Sequence, residues 1–287
     1  MSHVKFTTSI GAAIVVAALA ACSGSATSPS DSAPVVSDQQ ISTDVANAAT
    51  PDAAGDAADF STEGNGGTNF GLLAGQATCG PTTTVMVQLV WGANNQDTVN
   101  FNRTREWFAN GACASTWTPS VDSVEFVGTW DEDLADLSGS WTQDVNRVRN
   151  SSVHGMAASM VSPLDSATSH VWNANAVVND TIHFQGPVNT RNYAGLAYDT
   201  ASSVTFNHPR NGEAYPASGT WTRWATWTLN VTGARTETKT VERHILVTFN
   251  GSQFVQLQIL DVQTGAVVLT CQVNLLTHRI VAGSCQA

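Results

Sequence analysis

Five cysteines, seven histidines and one dense run of carboxylates are the residues whose chemistry could go beyond packing. Cys22 stands alone near the N-terminus. Cys79, Cys113, Cys271 and Cys285 remain, an even set that in an exported protein implies two disulfides. Chain proximity favours Cys79–Cys113 and Cys271–Cys285. The absence of any Cys-x-x-Cys pair argues against a zinc ribbon or a thioredoxin-like site. His154, His170, His183, His208, His244 and His278 are scattered without His-x-His or His-x-x-x-His spacing, so no metal and no cofactor is expected. Asp131, Glu132, Asp133 and Asp136 begin like a calcium loop but lack its glycine and closing glutamate, and a solvated turn after Trp130 is expected there. A glycosidase would need two carboxylates across a cleft, a pairing made in space and not in sequence. No Gly-x-Ser-x-Gly elbow nominates a serine nucleophile. Trp221, Trp224 and Trp227 are spaced by three, so on a strand Trp221 and Trp227 share a face and Trp224 points the other way. An aromatic ring on a wet face can stack on a sugar, although core packing is the commoner use.

Period-two segments rich in Val, Thr, Trp and Phe, separated by Gly, Asn, Asp and Pro, identify an all-β domain. The clearest are 244–250, 254–260 and 266–275, an antiparallel meander with one dry face. Matching those faces requires a three-residue link at Asn250–Ser252, with Val247 opposite Val255, then a link centred on Gln263 with Ile259 opposite Val267. A last hairpin centred on His278 would set Cys271 opposite Cys285. Upstream strands are expected at 83–91, 121–130, 141–149, 169–178, 181–185, 203–206 and 220–231, with a helical turn at 103–109. Ser138–Gln143 echoes Ser218–Arg223 at a distance of 80 residues, which raises the possibility of an internal repeat. The fold expected is an antiparallel meander closed into a barrel or a two-layer sandwich, occupying residues 69–287 as a single domain.

Charge separates this domain from what precedes it. The chain carries 23 acids against 12 bases, a net −11, which disfavours nucleic acid as a partner because phosphate needs clustered cations. Between Asp31 and Glu63 there are seven acids and no base, and Phe60 is the one aromatic between Cys22 and Phe70. Residues 22–68 therefore have the composition of a disordered acidic tether. In the domain, ten of eleven bases are arginine, Lys239 being the exception.

The first residues carry an address. Lys5 precedes an apolar run from Ile10 to Ala21, long enough for a signal-peptide core and too short to span a bilayer. The run ends in Leu19-Ala20-Ala21-Cys22, which resembles the lipobox of bacterial lipoproteins. That resemblance implies removal of residues 1–21, acylation of Cys22 and a membrane anchor. Ser23 in place of Asp implies outer-membrane sorting if the source is Gram-negative. Gly128-Thr129-Trp130 and Gly219-Thr220-Trp221 look like the Gly-x-Trp opening of lipocalins, which would imply a barrel holding a small apolar ligand. The function expected is non-enzymatic: binding, adhesion or structural service in the cell envelope. The alternatives are that lipocalin-like barrel and a hydrolase of envelope polymers.

Overall fold

The strands exist because alternate residues must leave water. The computed structural model describes residues 35–64, 82–91, 97–113, 123–135, 140–154, 169–207 and 215–287. They lie in one compact unit, Val35–Ala287. Its sheet runs β1 (Thr82–Trp91), β2 (Asp97–Ala109), β3 (Ala112–Cys113), β4 (Ser123–Ala135), β5 (Trp141–His154), β6 (Ser169–Gln185), β7 (Asn189–Asn207), β8 (Ser218–Gly233), β9 (Glu237–Thr248), β10 (Phe254–Leu260), β11 (Val267–Asn274) and β12 (Arg279–Ile280). Every strand pairs antiparallel with its neighbour in sequence, except that the two-residue β3 folds back on β2 and β4 takes the next place in the sheet. The meander curls into a half-barrel. Along β5 the inward set is Trp141, Gln143, Val145, Arg147 and Arg149, all buried, while the residues between them face water.

Residues 103–109, expected to form a helical turn, belong to strand β2. The strands expected at 169–178 and 181–185 are one, and β7 extends well N-terminal of 203. The inward alternation there is carried by Arg191, Tyr193, Ala197, Asp199 and Ala201, a mixture of charged and small residues that hydropathy does not register. Of the two echoing hexapeptides, Trp141–Gln143 opens β5 and Ser218–Arg223 opens β8; these strands run in opposite directions, so duplication of whole hairpins would not superpose them.

The largest correction concerns the acidic segment. Residues 38–64 are not a tether but helix α1 (Asp38–Gly64), and the compact unit begins at Val35 and not at 69. The helix lies on the concave side of the sheet, with Ile41, Val45, Ala46, Ala49, Ala53, Ala57 and Phe60 all in the core shared with the strands. It has no apolar stripe because it is enclosed on all sides. Small residues on both surfaces, such as Ala53 and Ala57 on the helix and Ala176, Ala197 and Ala225 on the sheet, leave room for it. Its start is specified locally. The Ser37 hydroxyl accepts the Gln40 N–H at 3.1 Å as an N-cap, and Val36 and Ile41, at the staple positions on either side of that cap, are buried. Strand β9 holds the same end: Glu237 accepts the Val35 N–H at 2.9 Å, and Arg243 reaches Asp38 at 3.3 Å.

The C-terminal meander keeps its dry face, with different links. Val247 pairs with Leu257, so the first link is two residues longer than expected; Ile259 pairs with Leu269 but Leu260 with Val267, so the second link is one residue longer and a bulge at Val268 adds the other. In the first, Phe249 is buried and donates to the Gly219 carbonyl before Gly251 turns the chain at positive φ. In the second, one Asp261 carboxylate oxygen accepts from the N–H groups of Gln263 and Thr264 and from the Thr264 hydroxyl, an Asx turn that sets its own length.

Cys271–Cys285 is a disulfide. The hairpin beside it is not centred on His278 throughout. Val273 pairs with Ile280 near the turn, whereas Thr270 bridges Gln286, so the residues around Gly283 bulge out between two registers. Replacing Cys285 with alanine is expected to lower stability by about 3 kcal/mol, because the bond closes a loop whose entropy the unfolded chain then regains. Urea unfolding under non-reducing conditions measures the loss, and reduction of the native protein should reproduce it. Cys22 and Cys79 lie outside the described residues, as does Asp136, and with Cys79 the Cys79–Cys113 pairing.

Candidate functional site

The groups with chemical potential converge where α1 meets the sheet. Asp44, Asp52 and Asp56 descend the helix, and each meets arginines projecting inward from β5, β7 or β8. Asp44 takes a two-pronged contact from Arg191, Nε at 2.6 Å and Nη2 at 3.0 Å, together with the Tyr193 hydroxyl at 2.7 Å. Asp52 lies 2.6 Å from Arg223 Nη2. Asp56 accepts from Arg147 at 2.9 Å, from Arg149, and from the Trp221 indole at 3.0 Å. Three sheet acids complete the set. Asp199, directly across the strand pair from Arg223, receives Nε and Nη2 at 2.7 Å each. Glu132 receives Arg147 at 2.5 Å, and Asp180 receives Gln143 at 3.0 Å. Aromatic faces cover the cations: Arg149 lies 4.3 Å from the centre of the Trp130 ring and 5.1 Å from that of Phe60, which itself stacks on Trp172.

Counting these described groups, six buried carboxylates face four buried guanidiniums, an excess of two negative charges if all ionise. The interior answers by retaining protons. Burial, helped by Asp52, pushes Asp180 up to about 7 against the pull of Arg223. Burial also raises Asp199, again opposed by Arg223. Burial acts on Asp56 in the same sense, but Arg147, Arg149 and the Trp221 hydrogen bond outweigh it and hold that carboxyl below its usual value. The native state therefore binds more protons than the unfolded chain between about pH 4 and pH 7, and stability falls as pH rises through that window. Asp180→Asn is expected to flatten the fall and to be the more stable protein at pH 8. Denaturation midpoints at pH 5 and pH 8 for the two proteins test this. His244, whose pKa burial lowers, has the opposite slope and cancels in the comparison.

The network is closed off from solvent. Each acid of the network is at most 4% exposed. Among the described residues no group of His, Cys, Asp and Glu could hold a metal ion. A lipocalin-like barrel would keep its interior for an apolar ligand, and here α1 occupies that side. A pocket of about 260 Å³ at one end is bordered by Asp44, Asn47, Trp141, Phe184, Arg191 and Arg279, a polar lining in which Asp44 and Arg191 already satisfy each other. The Gly-x-Trp segments have packing roles. A Cβ on Gly128 would stand 2.2 Å from the Trp130 ring, so glycine makes room for that indole.

The acidic run expected to be a solvated turn is part of strand β4: Asp131 and Asp133 face water, and Glu132 faces Arg147. Trp221 and Trp227 are buried and Trp224 is 49% exposed, as their spacing requires. Sequence reasoning missed the helix acids and their arginines. Two signals pointed to them: the Ser37-x-x-Gln40 cap, and a base content of nearly pure arginine, the cation suited to buried pairs, beside a segment with acids only. Compared with protein-family models, curated proteins and solved structures, the chain matches none.

Proposed function

We propose that this chain is a non-enzymatic binding protein of the cell envelope, anchored to a membrane by lipid on Cys22 and meeting its partner through the outer face of the half-barrel. The observation that carries the reading is the closed interior. The concave side is taken by the protein's own helix, and its carboxylates are engaged by arginines, so the convex side is the large surface left for a partner. The Cys271–Cys285 disulfide supports an oxidising compartment. The Leu19-Ala20-Ala21-Cys22 sequence supports the anchor, and Ser23 supports the outer membrane in a Gram-negative source.

The test has two arms. Labelled palmitate should be incorporated by the wild type and not by Cys22→Ala, and equal labelling removes the anchor from the reading. Lipid-free protein should co-sediment saturably with isolated cell envelopes without releasing new reducing ends. Release of reducing ends would make the protein a hydrolase, and absence of saturable sedimentation would remove the binding role.

A further inference from the structure

The outward face of the sheet carries an apolar row that neither the core nor the helix requires. Val148 lies directly across from Val177, Val177 from Tyr198, Tyr198 from Trp224, Trp224 from His244, and His244 from Leu260, one residue per strand from β5 to β10. Tyr198 is 54% exposed and Trp224 49%, and the two valines are exposed to a similar degree. Trp224 stacks on His244 with centroids 4.0 Å apart and planes 12° from parallel, so the imidazole covers one face of the indole and fixes its orientation.

The rows on either side are largely amides and hydroxyls. Asn175, Thr200 and Thr222 pair in sequence on one side; Asn179 and Thr226 lie on the other, with Leu196 between them. No charged side chain stands in these three rows from β5 to β8; on β9 the exposed Glu242, across from Thr226, is the one charge beside the row. A narrow apolar stripe rimmed by neutral hydrogen-bonding groups is a recognition surface.

The geometry points to a neutral polysaccharide of β-linked hexopyranose units as the occupant, lying along the row with one sugar on Tyr198 and the next against the part of the Trp224 indole that His244 leaves exposed. This deepens the binding role proposed above and rests on it. A pyranose with equatorial hydroxyls presents C–H bonds on its flat faces and hydroxyls at its rim, which matches an aromatic stripe between amide rows. From Val177 to His244 the row spans three strand spacings, about 14 Å, room for about three sugars. A second protein is the poorer fit. A stable interface engages about 20–30 residues a side around a broad apolar core, and this stripe is one residue wide. The uncharged rows offer an anionic polymer or lipid headgroup no cation.

Cellohexaose and N-acetylchitohexaose, titrated into the lipid-free protein while Trp fluorescence and heat are followed, test the proposal. At least one should bind saturably, Trp224→Ala and Tyr198→Ala should each weaken it about tenfold or more, and Leu276→Ala, an exposed apolar residue off the row, should leave it unchanged. Each replaced side chain is solvent-facing, so thermal midpoints near that of the wild type should accompany these results. Failure of both sugars to bind overturns the proposal, as does unchanged binding in Trp224→Ala or tighter binding of polygalacturonate. Self-association of the wild type that Trp224→Ala abolishes would assign the row to a second copy instead. If envelope sedimentation persists while both sugars fail, the binding role stands and the glycan assignment falls; if both fail, neither stands.

Discussion

Replacing Arg223 with methionine is expected to lower the unfolding free energy by about 4 kcal/mol at pH 8, within the range for removal of one partner from a buried ion pair. Arg223 is fully buried and serves Asp52 and Asp199, with Asp180 3.8 Å away. Methionine fills much of the same volume, so the loss is electrostatic: three carboxylates are left in the interior without their cation. At pH 5 Asp180 and Asp199, which burial already pushes upward, can take up protons, and the deficit should shrink. Urea unfolding of both proteins at the two pH values measures the effect and its pH dependence together. A loss below about 1 kcal/mol at pH 8, or one equal at both values, would show that the guanidinium does not neutralise this cluster.

Deleting residues 38–64 is expected to have the larger effect and to abolish cooperative folding. The helix supplies Ile41, Val45, Phe60 and a run of alanines to the shared core, and without it Arg149 and Arg191 would lose their Asp56 and Asp44 partners while Arg147 would keep Glu132 alone. Each uncompensated buried charge costs several kcal/mol, which together exceeds the stability of a typical domain. Expression of the deletion should yield insoluble or non-cooperatively unfolding protein. A synthetic peptide covering residues 35–64, added during refolding, should restore a sharp transition. Native hydrogen exchange gives a second measure: amides near Asp52 and Asp56 should exchange only through global unfolding. A soluble, cooperatively folding deletion would show that the half-barrel stands without its helix.

The sequence by itself determined which residues alternate and therefore which faces exist. The period-two pattern gave the meander from 244 onward with its dry face, the opposite orientations of Trp221 and Trp224, and the Cys271–Cys285 pair. These follow from local backbone geometry, in which side chains of a strand must point to alternate sides. Link lengths escaped because side-chain hydrogen bonds at Asp261 and the burial of Phe249 set them, and hydropathy records neither. Only the tertiary structure decided the fate of residues 38–64. Their small apolar groups and acids cannot offset chain entropy in water, which is why the segment has the composition of a tether. The same aspartates become buried partners once β5, β7 and β8 bring four arginines to one concave face. That gain exists only between elements distant in sequence, so no local window contains it. The outer row is likewise a product of register: Val148, Val177, Tyr198, Trp224 and His244 are spread over nearly a hundred residues, and pairing in the sheet sets them side by side.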